Sequence, residues 1–232
     1  MTARNKTERL AGFFYLMVVI GGMISLIYIP SKLILRDNAG KTVENIRQSE
    51  ELFRLGIVSG IVTYVAFILL PLTLYKLLSE VNKSFAMLMV VFALASVPVS
   101  FANMSNQMAV LSLLSRSGNF VSMDASQLQT MVMLHLDYYN NGIQLVSIFW
   151  GLWLFPFGYL VFKSGFLPKV LGVFLMVGCF CYLIDFLGSF LFMNYSKTVL
   201  PSFIHLPSAI GEFGICLWLL VMGTGPIKSA RK

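Results

Sequence analysis

Charge is what this chain has least of. Only 12% of its 232 residues are Asp, Glu, Lys or Arg, about half the share usual in a water-soluble domain. Histidine is rarer still, at two residues, and the pair has no spacing that would mark a haem or metal site. The three cysteines, Cys179, Cys181 and Cys216, form no CxxC or Cys/His pair at zinc-ligand spacing, and their odd number argues against a disulfide framework. All three lie in apolar stretches, where a cysteine packs as a small hydrophobic residue. No HExxH, no GxSxG and no nucleotide-binding motif is present. The sequence therefore assigns no catalytic residue, no metal ligand and no cofactor.

What is abundant is long apolar sequence. Hydrophobic residues make up 57% of the chain, and the mean hydropathy is +0.80. About 20 apolar residues suffice for a helix to cross the hydrocarbon core. Six stretches meet that length: residues 10–30, 55–78, 85–114, 126–162, 170–193 and 201–223. The expectation is an all-α polytopic protein, a six-helix transmembrane bundle forming one integral membrane domain over residues 1–232. The third and fourth spans exceed the bilayer thickness and are predicted to project as a hairpin, joined by the turn-rich Ser115-Arg116-Ser117-Gly118-Asn119. The first apolar run is too long for a signal-peptide core and has no small-residue cleavage site after it, so it reads as a retained span.

The net charge of +7 does not point to nucleic acid, because the cations gather at chain ends and short loops, as membrane topology requires. With the N-terminus inside, the inner segments hold Arg4, Lys6, Arg9, Lys76, Lys83, Lys163, Lys169, Lys228, Arg231 and Lys232. The two short outer loops hold only Arg116 and Lys197. The first outer loop has five cations, Arg36 among them, nearly cancelled by four acids. Both termini are accordingly expected in the cytoplasm. Within that loop, TVENIRQSEELFR from Thr42 to Arg54 reads as a short amphipathic helix on the outer face, starting at Thr42 and leading into the second span.

Ionisable and amide side chains inside spans carry the functional signal, since a charge at the bilayer centre costs at least about 2.5 kcal/mol. Asp137, Asn140, Asn141 and Gln144 share one face of the fourth helix at i, i+3, i+4, i+7. Ser96, Ser100, Asn103 and Gln107 form a stripe on the third. Asp185 on the fifth helix, with His205 and Glu212 on the sixth, extend the pattern. Counted by rise per residue, these groups fall in the outer half or near the midplane. The inner half of the fourth helix is apolar and aromatic. A polar cavity open to the outside is the expectation, lined by Asn103, Gln107, Asp137, Asn140, Asn141, Gln144, Asp185, His205 and Glu212, with Arg54 paired to an acid at its mouth. The three acids are expected to converge there. Amides can equally serve as hydrogen-bonding glue between helices, and that alternative stays open for Asn103, Gln107 and Asn140.

Several segments carry a family resemblance: ERLAGFFYL at the first span, TVENI and ELFRLGIVSG at the second, LYKLLSEVNKSFA around the following loop, FWGLWLFPFGYLVFKSGFLPKVLG from Phe149 to Gly172, and GEFGICLWLL near the end. Through them the chain resembles the domain-of-unknown-function 4386 family of bacterial multi-spanning membrane proteins. The resemblance implies a bacterial inner-membrane location and brings neither an activity nor a catalytic residue.

The leading functional reading is non-enzymatic: binding or moving a small molecule or lipid through the outward-facing cavity, with membrane lipids as surroundings and no nucleic-acid partner. An intramembrane enzyme using the acids and histidines, and a structural or sensory partner of another membrane protein, are the alternatives.

Overall fold

The computed structural model describes residues 3–115 and 123–222, apart from the side chains of residues 3–5 and Ser196. Arg116, Ser117, Gly118 and Asn119 of the expected turn, and Lys228, Arg231 and Lys232 of the basic C-terminal end, lie outside the described residues, as does the side chain of Arg4.

Nine α-helices are formed among the described residues: α1 Ala3–Gly22, α2 Ile29–Leu33, α3 Ala39–Gln48, α4 Glu50–Leu78, α5 Lys83–Leu114, α6 Ala125–Ser164, α7 Lys169–Leu191, α8 Leu200–Phe203 and α9 Leu206–Val221. A π turn, Met23–Tyr28, runs α1 into α2. The protein is all-α and polytopic. Six helical segments are long and apolar enough to cross a membrane: Lys6–Leu33, Glu50–Leu78, Lys83–Leu114, Ala125–Ser164, Lys169–Leu191 and Leu200–Val221. At about 1.5 Å per residue, α6 with its 40 residues measures about 60 Å, twice the hydrocarbon thickness.

Several apolar side chains point out of the protein. On α7, Val170, Val173, Val177, Phe180, Ile184, Leu187 and Leu191 are all exposed, at alternating spacings of three and four that place them on one face. Such a stripe suits lipid and would be a liability in water.

The π turn has a local cause. Ile29 N–H bonds to the carbonyl of Ile24, five residues back, immediately ahead of Pro30, which has no N–H to continue the ordinary i→i−4 ladder. The short helix between the first two spans starts earlier than the sequence pattern suggested. Asn38, not Thr42, caps it: the Asn38 side chain accepts from Lys41 N–H at 2.9 Å. Thr42 is buried, and its hydroxyl accepts from Leu35 N–H and donates to Leu35 C=O, both at 2.9 Å. The helix ends at Gln48, and Ser49 leaves the helical conformation. Glu50 and Glu51 therefore begin α4, where their charge complements the helix N-terminus.

The described residues divide into two compact units. One comprises residues 3–17, 66–97 and 145–222. Its centre is aromatic: Trp153 stacks on Phe157 with centroids 5.1 Å apart, and Phe67 meets Trp153 edge-on at 5.1 Å. The other comprises residues 18–65 and 98–144, less the undescribed loop. It holds the end of α1, the π turn, α2, α3, the first part of α4, the second part of α5 and the first part of α6.

Candidate functional site

The unit of residues 18–65 and 98–144 contains a largely enclosed cavity of about 180 Å³. Its walls come from the π turn and from α2, α4, α5 and α6. The π turn and α2 contribute Ser25, Ile29 and Leu33, α4 contributes Phe53 and Gly56, α5 contributes Gln107, and α6 contributes Leu136, Asp137, Asn140 and Ile143. The lining is apolar with a few polar groups, as ligand pockets generally are. The volume falls below the roughly 300–1,000 Å³ of a drug-sized site, which restricts an occupant to a small molecule or a fragment of a larger one.

Three of the anticipated residues meet here, Gln107, Asp137 and Asn140. Gln107 belongs to the α5 stripe, all of which is buried: Ser96, Ser100, Asn103 and Gln107. It is only 7% exposed, and its carboxamide has no hydrogen-bond partner among the described residues. Its polar atoms are not among the buried groups left without a partner, which among the described residues are His205 Nδ1 and Trp218 Nε1, so they stay open to the cavity they line. Asp137 sits at the rim and meets a residue that sequence reasoning passed over, Arg36, with Nη1 to Oδ1 at 3.3 Å. Both side chains are more than half exposed, so the pair contributes only about 0–1 kcal/mol. Nothing in the sequence around either residue marks the pair, which is separated by 101 positions. An open depression of about 430 Å³, lined partly by Ser126, Gln129 and Thr130, shares Asp137 and Met133 with the cavity.

Other anticipated residues have different employment. Asn103 donates to Tyr139 C=O at 2.8 Å and accepts from Asn106 at 3.3 Å. It fits against Gly142, where any Cβ would overlap its carboxamide, so it acts as glue between α5 and α6. His135 on α6 pairs with Asn106 on α5 at 3.2 Å. Asn141 is exposed, and neither it nor Gln144 lines the cavity. Arg54 pairs with Glu50, one helical turn away, at 2.7 Å. That is the local partner, not a deeper acid.

The remaining acids belong to the unit of residues 3–17, 66–97 and 145–222. Asp185 accepts from the Tyr195 hydroxyl at 3.0 Å on one oxygen and pairs with His205 Nε2 at 3.1 Å on the other. Tyr195 closes over Gly188, where a Cβ would run into its ring. Burial, then the hydrogen bond to Asp185 and its charge, push the Tyr195 hydroxyl up to about 12. The other ring nitrogen of His205 is buried without a partner among the described residues. Glu212 accepts from the fully buried Tyr15 at 3.3 Å. Each of the three acids has hydrogen-bonding or ion-pair partners of its own. Their needs are met pairwise by Arg36, Tyr15, Tyr195 and His205. Glu8 is buried as well, just ahead of where the sequence pattern began the first span.

Among the described residues, no group of three or more His, Cys, Asp or Glu side chains is placed to hold a metal ion. The cysteines are free.

A multi-pass membrane protein of helices, with a small cavity in one of its compact units, is the class these observations define. The chain belongs to the family described as Domain of unknown function (DUF4386), which matches residues 10–223. It is similar to an uncharacterized protein of Archaeoglobus fulgidus, 32% identical over 88 residues that make up 38% of this chain. The chain spans about half the length of that relative, 50%. No solved structure matches it.

Proposed function

We propose that this protein binds a small ligand in the cavity beside Gln107, from the outer side of the cytoplasmic (inner) membrane, for uptake or sensing rather than for chemistry on it. The observation that carries the reading is Gln107: an amide 7% exposed, without a partner, beside a cavity. An amide held in a mostly apolar wall and open to the cavity gives a ligand a specific hydrogen-bonding group to take up in exchange for water. The outward direction follows from the distribution of lysine and arginine, which favours both termini inside. Residues 33–50 then lie outside, with Arg36 at the cavity rim.

Gln107→Leu separates this reading from a purely structural one. The ligand-free variant should unfold within about 1 kcal/mol of the wild type, because no protein hydrogen bond is lost. Native mass spectrometry of protein purified in lipid nanodiscs should show a small molecule retained by the wild type and lost from the variant. A variant that is less stable, with no retained molecule in either protein, would mean that Gln107 is helix glue and the cavity unused.

A further inference from the structure

The rim of the cavity carries one charge of each sign, and this deepens the reading just given, on which it rests. Arg36 and Asp137 touch through a single contact of 3.3 Å and are 63% and 54% exposed. Opening a contact of that kind costs little. What matters is what each class of ligand would leave behind. An anion drawn to Arg36 would set a second negative charge beside Asp137. A cation drawn to Asp137 would do the mirror image to Arg36. A neutral molecule would leave the pair unused. A zwitterion exchanges the single contact for two charge-assisted ones, carboxylate to guanidinium and ammonium to Asp137, with no charge left over.

The interior narrows the class further. Asn140 lies one turn along α6 from Asp137 and lines the same cavity as Gln107. Neither amide has a side-chain partner among the described residues. Amides carry both donors and acceptors but no charge. They match an uncharged hydrogen-bonding group on the ligand, flanked by the apolar walls of Ile29, Phe53 and Ile143. The volume of about 180 Å³ is well above the ~10–15 Å³ that a single water needs. That accommodates a body of a few heavy atoms and not a pair of acyl chains. The depression on the far side of Asp137, with Ser126, Gln129 and Thr130, offers a polar approach for a water-borne solute.

We propose that the cavity takes a free α-amino-acid zwitterion with a short, uncharged polar side chain. Its carboxylate would sit on Arg36, its ammonium on Asp137, and its side-chain tip on Gln107 and Asn140.

Four probes of similar length test this by isothermal titration on protein in nanodiscs: L-glutamine, glutaramate (which lacks the ammonium), 4-aminobutanamide (which lacks the carboxylate) and L-norleucine (which lacks the polar tip). L-Glutamine should bind at least about tenfold more tightly than each of the other three, one charge-assisted or amide contact being at stake each time. Asp137→Asn should erase its advantage over glutaramate, Arg36→Gln its advantage over 4-aminobutanamide, and Gln107→Leu its advantage over norleucine. Glutaramate or 4-aminobutanamide binding as tightly as L-glutamine to the wild type would overturn the zwitterion while leaving the cavity a ligand site. Retention of phosphatidylethanolamine with no binding of L-glutamine would also overturn it, in favour of a lipid headgroup. If no probe binds and no molecule is retained, the cavity reading falls together with its refinement. The wild-type probe series decides the matter even if a variant fails to fold.

Discussion

Asn103 and Gln107 lie one turn apart on one stripe of α5, yet the structure gives them opposite roles. Asn103 spends its amide on Tyr139 C=O and Asn106, while Gln107 spends none of its own. Nothing in their spacing distinguishes them, because the difference lies in α6: Gly142 lets the backbone come close to Asn103, and the cavity opens beside Gln107. Gly142→Ala should therefore displace the Asn103 side chain and cost about 1–3 kcal/mol, measured by thermal unfolding in detergent. The double variant Asn103→Ala/Gly142→Ala should lose much less than the sum of the two single changes, since the overlap disappears with the carboxamide. Additive losses would show that the close approach has another basis. Tyr195 supplies a second prediction at this scale. Its folded-state pKa, about 12, lies above its ordinary value near 10. The stability it contributes is then complete below about pH 10 and is lost as pH rises through about 12. Tyr195→Phe should lower the unfolding temperature at pH 8 and flatten the decline between pH 10 and 12. An equally steep decline in the variant would place the alkaline sensitivity elsewhere.

At the scale of elements, hydrophobic run length located the spans well, because a bilayer demands helices of nearly one length and admits few alternatives. The described second span, Glu50–Leu78, and fifth, Lys169–Leu191, lie within a few residues of the runs read from sequence. The connecting helix was legible as amphipathic, but its start was misplaced. Thr42 is a plausible cap residue, as Asn38 is, and sequence alone could not show that Thr42 would be drawn inward to bond Leu35. Helix α3 buries Val43 and Ile46 and leaves Lys41, Glu44, Arg47 and Gln48 outside. Ile46 is fully buried, so Ile46→Ala should cost about 2–5 kcal/mol. Asn38→Ala, which removes only the cap, should cost about 0.5–2 kcal/mol. Hydrogen exchange of residues 39–48 checks both: α3 should lose protection more strongly in the Ile46 variant. If the cap variant lost as much, α3 would be held by its terminus more than by its buried face. The pairing of Arg36 with Asp137 was hidden for a different reason. The two residues are separated by 101 positions, and neither has a local pattern that names the other.

For the whole molecule, the open variable is orientation, and the cations bear on it unevenly. With six spans, Lys6, Arg9, Lys76, Lys83, Lys163 and Lys169 all fall on the side that holds the N-terminus, a bias that favours that side as the cytoplasmic one. The opposing cations of residues 32–54 are interleaved with Asp37, Glu44, Glu50 and Glu51, but acids weigh little in this rule. The shortness of the segment that carries them therefore makes it a real counterweight. Single-cysteine labelling resolves the balance, in a background where Cys179, Cys181 and Cys216 are replaced by Ala. Lys41→Cys on exposed α3 should react with a membrane-impermeant maleimide in intact cells. Lys163→Cys at the end of α6 should react only after the cells are broken. The reverse pattern would turn the protein over and direct the cavity at Arg36 and Asp137 toward the cytoplasm. The site would then sample the cell's own small solutes, and its amino-acid zwitterion would be one held for export or sensing, not one captured from outside.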